Sequence, residues 1–257
     1  RKDKHLILEN VISESVHTVL ANRSPIEVTA RARPSRLNVG VATPWDPQPT
    51  GVADFSVATI SELANLVDVT LYVTSGGMGT TIPGVKVHKV DGLLCPEKQH
   101  DHDVLIVVAG NSHFHLPFIE LLSRHECVVI AHDTRMVEYY MSLRDRGGAT
   151  QVMLRSNDPR APHALVPELD DQIDDMRLLP NAGMWEIAQR AEALILHSRS
   201  AAGRIEMETG VTPIVLPFAN QRVPDVDVND VGVRDAARSR LGFEPGVIHL
   251  ASFGYVD

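Results

Sequence analysis

Three short stretches gather side chains that can hold, give or take a proton. Asn111, Ser112, His113 and His115 fall in "GNSHFHLPF", His132 and Asp133 in "AHD", and His197 and Ser198 in "LHS". Imidazole titrates nearest neutrality, so such groups suit proton transfer and charge stabilisation. His113-x-His115 with the distant His132, Asp133 and His197 is also a known ligand pattern for a divalent metal, weakened by the absence of a Cys-rich or HExxH element. One His of this kind is usually a satisfied structural residue. Three stretches repeating the arrangement point to a site.

A fourth stretch, "TPWDPQPTG" (43–51), suits a different chemistry. Proline stiffens the loop and Gly51 allows a ligand to approach the backbone. The helix expected from Val52 offers free N–H groups at the positive end of its dipole, where an anion can sit. A rigid turn with Thr50 as N-cap explains the same residues equally well. The loop has no GxGxxG, which weakens a dinucleotide dehydrogenase.

These residues need strands to carry them to a common edge. Short β-branched runs predict strands at 36–42, 67–73, 85–90, 103–109, 126–131, 192–197 and 212–216. Several are apolar throughout, as in strands covered on both faces. Helical patterns fall at 51–66, 115–125 and 201–210. Strand, helix, strand in succession predicts an α/β fold with a doubly wound, Rossmann-like parallel sheet. Ligands bind outside the carboxyl ends of such strands, and all the residues singled out follow a strand.

The regularity fails in three places. Residues 1–35 read as an N-terminal helical extension and linker, and residues 144–180 as a long polar insertion whose acidic run faces solvent. After the Rossmann-like domain at 36–220, residues 221–257 read as a linker, a short helix and a first strand from "VIHLASF" onward. The start at Arg1 suggests a piece cut from a longer chain.

Composition removes several classes. With 257 residues, 44% of them hydrophobic, the chain can build a substantial core. A formal net charge of -9 and no basic stripe argue against nucleic acid. Cys95 and Cys127 form no CxxC pair, which fits a reducing compartment. No apolar run approaches the roughly 20 residues of a membrane helix, and the N-terminus has no adequate secretory h-region.

Taken in order, the motifs resemble those of a known family. "VGVATPWDPQPTGVADFS", "GNSHFHLPFIELL…VVIAHD", "LILHSRSAAGRI" and "RLGFEPGVIHLASFGYVD" are similar to segments of the retaining glycosyltransferases of the GT-B fold, group 1 (family 4). The resemblance runs from about Arg36 to Asp257. It implies the N-terminal, acceptor-side half of an enzyme of the hexosyltransferase type (EC 2.4). In that reading Gly51 lies against the donor diphosphate and Asp54 is the acidic residue of the helix's first turn. His132, with Asp133 beside it, lies near the transferred sugar. Asn111, Ser112, His113 and His115 fall in the strip that faces the acceptor or supports His132, and His197 and Ser198 match a strand-end motif. "PWDP" departs from the family's double proline.

The resemblance also implies a nucleotide-sugar donor as substrate, no metal or other cofactor, and a glycan or lipid-linked acceptor in cell-envelope polysaccharide assembly. The setting would be cytoplasmic, with peripheral association at the inner face of the cell membrane an open option. The donor-gripping residues would belong to a C-terminal domain beyond Asp257, so this piece alone is expected to be inactive. A metal-dependent hydrolase and a non-enzymatic sugar or nucleotide-binding module stand as alternatives.

Overall fold

A computed structural model describes residues 36–76, 79–95, 102–143, 183–217, 227, 229–244 and 246–250. The extension expected at 1–35 and the polar insertion expected at 144–180 lie outside these residues. The chain divides into two compact units, Arg1–Phe218 and Ala219–Asp257.

The first unit contains seven strands: β1 Asn38–Ala42, β2 Asp68–Val73, β3 Lys86–Lys89, β4 Val104–Ala109, β5 Val128–Ala131, β6 Ala193–Leu196 and β7 Ile214–Val215. They form one sheet in the order β3-β2-β1-β4-β5-β6-β7, every pair parallel. The β-branched runs place Val41 opposite Leu71 on one side and Ile106 on the other, and Val129 opposite Val107 and Leu194. Such residues pack well on a pleated surface buried on both faces.

Strand alternation divides the core in two. Val39, Val41, Val69, Leu71 and Val73 join Ile60 and Leu63 of helix α1 (Gly51–Leu63) on one face. Ala42, Tyr72, Val107, Ala109 and Val129 join Leu116, Phe118 and Ile119 on the other. In α1 the buried positions Ala53, Ser56, Ile60 and Leu63 repeat at helical spacing. Burial of Ile60 and Leu63 contributes about 2 kcal/mol each. Thr50 starts the helix by accepting from Val52 N–H at 3.3 Å.

The helix expected at 115–125 is broken into shorter turns. A 3-10 turn at His113–His115 leads into a single α turn, α2 (Leu116–Ile119), and a second 3-10 turn at Glu120–Ser123. Pro117 lacks the N–H that would bond back to His113, so α winding does not run through from His113 and instead starts with that proline in its first turn. Two helices were not anticipated, α3 (Val137–Leu143) and α4 (Trp185–Arg190). α5 (Arg199–Thr209) is capped by Ser198 and ended by Gly210 at φ 74°, a left-handed position that favours glycine.

In the second unit α6 (Val231–Arg240) is capped by Asp230, whose carboxylate accepts from Gly232 and Val233 N–H. The strand expected from 247 onward is not formed across 247–250. Ile248 and Leu250 are 87% and 96% exposed there. An apolar run becomes a strand only beside a partner, and none pairs with it among the described residues.

Candidate functional site

The strand order reverses direction at β1: the chain moves outward through β2 and β3, then returns to place β4 on β1's other side. Loops leaving β1 and β4 therefore diverge, and the crevice between them is the place where open parallel sheets bind ligands. The β1 loop carries Gly51 and Asp54 to this edge, and the loop after β4 carries Asn111, Ser112, His113 and His115. β5 adds His132 and Asp133, and β6 adds His197 and Ser198.

The β1 loop is held in one shape from several directions. Trp45 is 1% exposed, and its indole N–H donates to Thr80 O at 2.8 Å. Thr80 Oγ1 donates to Asp46 Oδ2 at 2.9 Å, and Gly79 N–H to Asp46 O at 2.8 Å. Gln48 accepts from Trp45 N–H at 3.0 Å and donates to Thr74 at 3.1 Å. Below them Thr43 and Ser56 share a buried hydroxyl pair at 2.7 Å. Gly51 and Asp54 are exposed, and a Cβ added at Gly51 would meet nothing within 4 Å, so protein packing does not require glycine there.

The imidazoles gather around Phe55, one turn into α1. Its ring meets His132 edge-on at 4.6 Å between centroids and His197 at 5.9 Å, and the two imidazoles lie 4.9 Å apart. His132 N–H continues the ladder to Ala109 O at 2.9 Å. Burial, then the neighbouring His197 and His115, push the His132 imidazole down to about 3, so it is neutral at physiological pH. A neutral ring carries one donor nitrogen, one acceptor nitrogen and no charge, and of the two the Nε2 of His132 is buried. His197 Nδ1–H donates to Leu216 O at 3.0 Å, which fixes that ring's orientation.

His115 is interior. It is 1% exposed, its Nδ1–H donates to Val108 O at 3.0 Å, and burial pushes its pKa down to about 4. Its Nε2 faces Gly110, where a Cβ would come within 2.5 Å. His113, two residues earlier, is exposed beside Phe114 at 4.1 Å between rings. The alternation of one ring out and one in separates the HxH pair.

Asn111 and Asp133 join the two loops. Asp133 Oδ2 accepts from Asn111 N–H at 2.7 Å, and Asn111 Oδ1 accepts from Tyr139 N–H at 3.2 Å. Ser112 is half-buried, and Ser198 is exposed, its hydroxyl accepting from Ala201 N–H at 3.4 Å as the cap of α5. Among the described residues no group of three His, Cys, Asp or Glu is placed to hold a metal ion. No described helix is long and apolar enough to cross a membrane.

Sequence reasoning missed Phe55, Trp45 and Asp46. Trp45 carried a signal, because a large aromatic inside a proline-rich loop is an anchor. Phe55 fitted the apolar spacing of α1 and so read as an ordinary core residue.

No family model matches the chain, and no curated protein matches it. Among solved structures, one neighbour is the crystal structure of TcCGT1 in complex with UDP, at 14% identity and a TM-score of 0.35. The match covers 79% of this chain and 55% of that one, so the chain spans about half of its length. A likeness of that size bears on neither activity nor ligand. The chain's own sheet and site define its class: a Rossmann-like α/β domain with polar residues from four strand ends at its switch-point edge.

Proposed function

We propose that this chain is the acceptor-side domain of a GT-B glycosyltransferase that moves a sugar from a nucleotide-sugar donor to a glycan or lipid-linked acceptor with retention of configuration. The reading rests on the resemblance of four ordered motifs, and one observation carries it further. Phe55 connects the helix that starts at Gly51 to the imidazole of His132, at 4.6 Å between ring centroids. The anion position at the helix N-terminus and the polar group suited to the sugar thus belong to one packed unit.

In this proposal the donor diphosphate lies at the N–H groups of Gly51 and Val52, where the helix dipole favours negative charge, with Asp54 in the same turn. Neutral His132 orients the transferred sugar by hydrogen bonding and stabilises charge that develops as the bond to the diphosphate lengthens. Asp133 and Asn111 fix the loops on which His132 and Ser112 sit. The departing diphosphate oxygen takes the acceptor hydroxyl proton as that hydroxyl's oxygen bonds to the anomeric carbon. No metal enters this scheme. The remaining contacts to the nucleotide belong to a second domain, and the setting is the cytoplasmic side of an envelope-assembly pathway.

The hydrolase alternative requires His113, His115, His132, Asp133 and His197 to converge on one ion. His113 is exposed, His115 is interior with Nδ1 committed to Val108, and an oxygen of Asp133 is engaged with Asn111.

The test is His132→Ala in the full-length protein, assayed for transfer from uridine and guanosine nucleotide sugars. Turnover should fall by about 10²-fold or more with the fold intact, the scale of losing a positioned polar group near developing charge. Near wild-type turnover would remove His132 from the mechanism.

A further inference from the structure

His197 follows β6 directly and is held by two strands at once. Just past the two-residue strand β7, Leu216 N–H donates to Leu196 O at 2.8 Å. The His197 side chain supplies the return bond, its Nδ1–H donating to Leu216 O at 3.0 Å. Pro217, the next residue, has no N–H with which to continue the ladder. An imidazole turns about χ1 and χ2 alone, so a ring N–H tied to a strand carbonyl holds the plane of the ring.

The ring so held meets two others. Its centroid lies 4.9 Å from that of His132, with 44° between the planes, and 5.9 Å from that of Phe55, with 62°. Phe55 meets His132 from a second direction, edge-on at 4.6 Å and 78°. The backbone of His132 is tied to β4 through Ala109 O, so the freedom left to this half-buried residue is the turn of its side chain. Ring pairs prefer particular offsets and tilts, and two fixed neighbours limit the turn of the third.

We infer that His197 is a positioning residue for His132: anchored through Nδ1 to Leu216 O, it fixes, together with Phe55, the plane of the His132 imidazole. The restraint rests on ring geometry alone, and its consequence for transfer rests on the proposed function, in which His132 orients the transferred sugar. His197 makes no contact with reacting atoms in that scheme and acts through His132. A group displaced by about 1 Å can cost about 10²-fold in rate, so a loosened imidazole is felt in turnover more than in donor binding.

The discriminating change is His197→Phe, which keeps an aromatic ring and removes the N–H that Leu216 O accepts. A role in filling space survives it, and a positioning role does not. In this chain with ¹³C-labelled histidine, the His132 Cδ2–Hδ2 and Cε1–Hε1 resonances are assigned by their absence in His132→Ala. In the wild-type chain the Phe55 ring should displace them from free-imidazole positions. In His197→Phe they should return toward those positions, with circular dichroism unchanged. In the full-length protein, assayed with uridine and guanosine nucleotide sugars, His197→Phe should lower kcat about tenfold or more and change KM for the nucleotide sugar by less than about twofold. His132→Ala combined with His197→Phe should turn over no more slowly than His132→Ala alone, because one group acts through the other. Unmoved His132 resonances in His197→Phe would overturn the inference, and so would rate losses that multiply in the double variant. If His197→Phe does not fold, His197→Asn takes its place: it can still donate to Leu216 O but offers no ring, and should release His132 in the same way. Absence of transfer by the wild-type protein would sink the proposed function, while the resonances would still decide whether His197 holds the ring.

Discussion

Gly110→Ala would test the packing beneath the imidazole cluster. Gly110 is not among the glycines at positive φ, so alanine meets no backbone penalty there. The obstacle is His115: the new Cβ would lie 2.5 Å from Nε2, 2.9 Å from Cε1 and 3.0 Å from Cδ2. A flexible chain end could move aside, but this ring is buried and tied through Nδ1 to Val108 O. Overpacking of this kind costs about 1–3 kcal/mol, and loss of the ring's hydrogen bond about 1 kcal/mol more. Alanine stiffens the unfolded chain, which offsets about 0.4–1 kcal/mol. The net expectation is a loss of roughly 1–3 kcal/mol, read as a lower urea midpoint at unchanged slope. The same change made in a His115→Ala background is relieved of these three contacts, so the two should couple by about 1 kcal/mol or more. An equal cost in both backgrounds would refute the contact.

Two further outcomes follow from the buried polar groups. An imidazole whose folded pKa is lowered has its full stability above its unfolded pKa near 6.5 and loses it as pH falls toward the folded value. His115 and His132, at about 4 and about 3, should thus lower stability from about pH 6.5 downward, by about 1.4 kcal/mol per pH unit for each group, read as a falling urea midpoint. A midpoint flat between pH 7 and 5 would contradict their burial as neutral rings. Thr43→Val should cost about 1–3 kcal/mol by leaving Ser56 Oγ without its 2.7 Å partner, while Thr43→Val with Ser56→Ala should cost less than the single change. Additive losses would show that the pair contributes nothing jointly.

The strands were legible because their segments are rich in β-branched residues, and β1, β2, β4, β5 and β6 are largely buried. All seven lie inside the segments read from those runs, from 38–42 within 36–42 to 214–215 within 212–216. α1 was legible from Thr50, Gly51 and its apolar spacing. α3 was not, because "MVEYYMSL" is rich in aromatic and β-branched residues that suit strands as well, and its helical winding is imposed by packing of Val137, Tyr139 and Tyr140 into the core. Pro117 marked a discontinuity that the apolar pattern of 115–125 concealed. At the site, strand ends located the groups but could not say which way each side chain turns. His113 and His115 looked alike in sequence, and only the fold sends one outward and the other against Gly110. Phe55 illustrates the same limit, since contact with His132 is a property of the folded chain.

The two outermost strands bear on how the molecule behaves in company. A sheet that stops at both ends leaves rows of backbone donors and acceptors that can template a strand from another chain. At one margin β3 is four residues long and places charge at Lys86 and Lys89, both exposed. At the other, β7 has two residues, Ile214 and Val215, between Pro213 and Pro217, neither of which has an amide hydrogen to offer. Among the described residues neither margin presents the long, flat, apolar ribbon that favours edge-to-edge association. Short, charged and proline-flanked margins discourage lateral recruitment of a strand, a route separate from the strand-end rim at which open parallel sheets bind ligands.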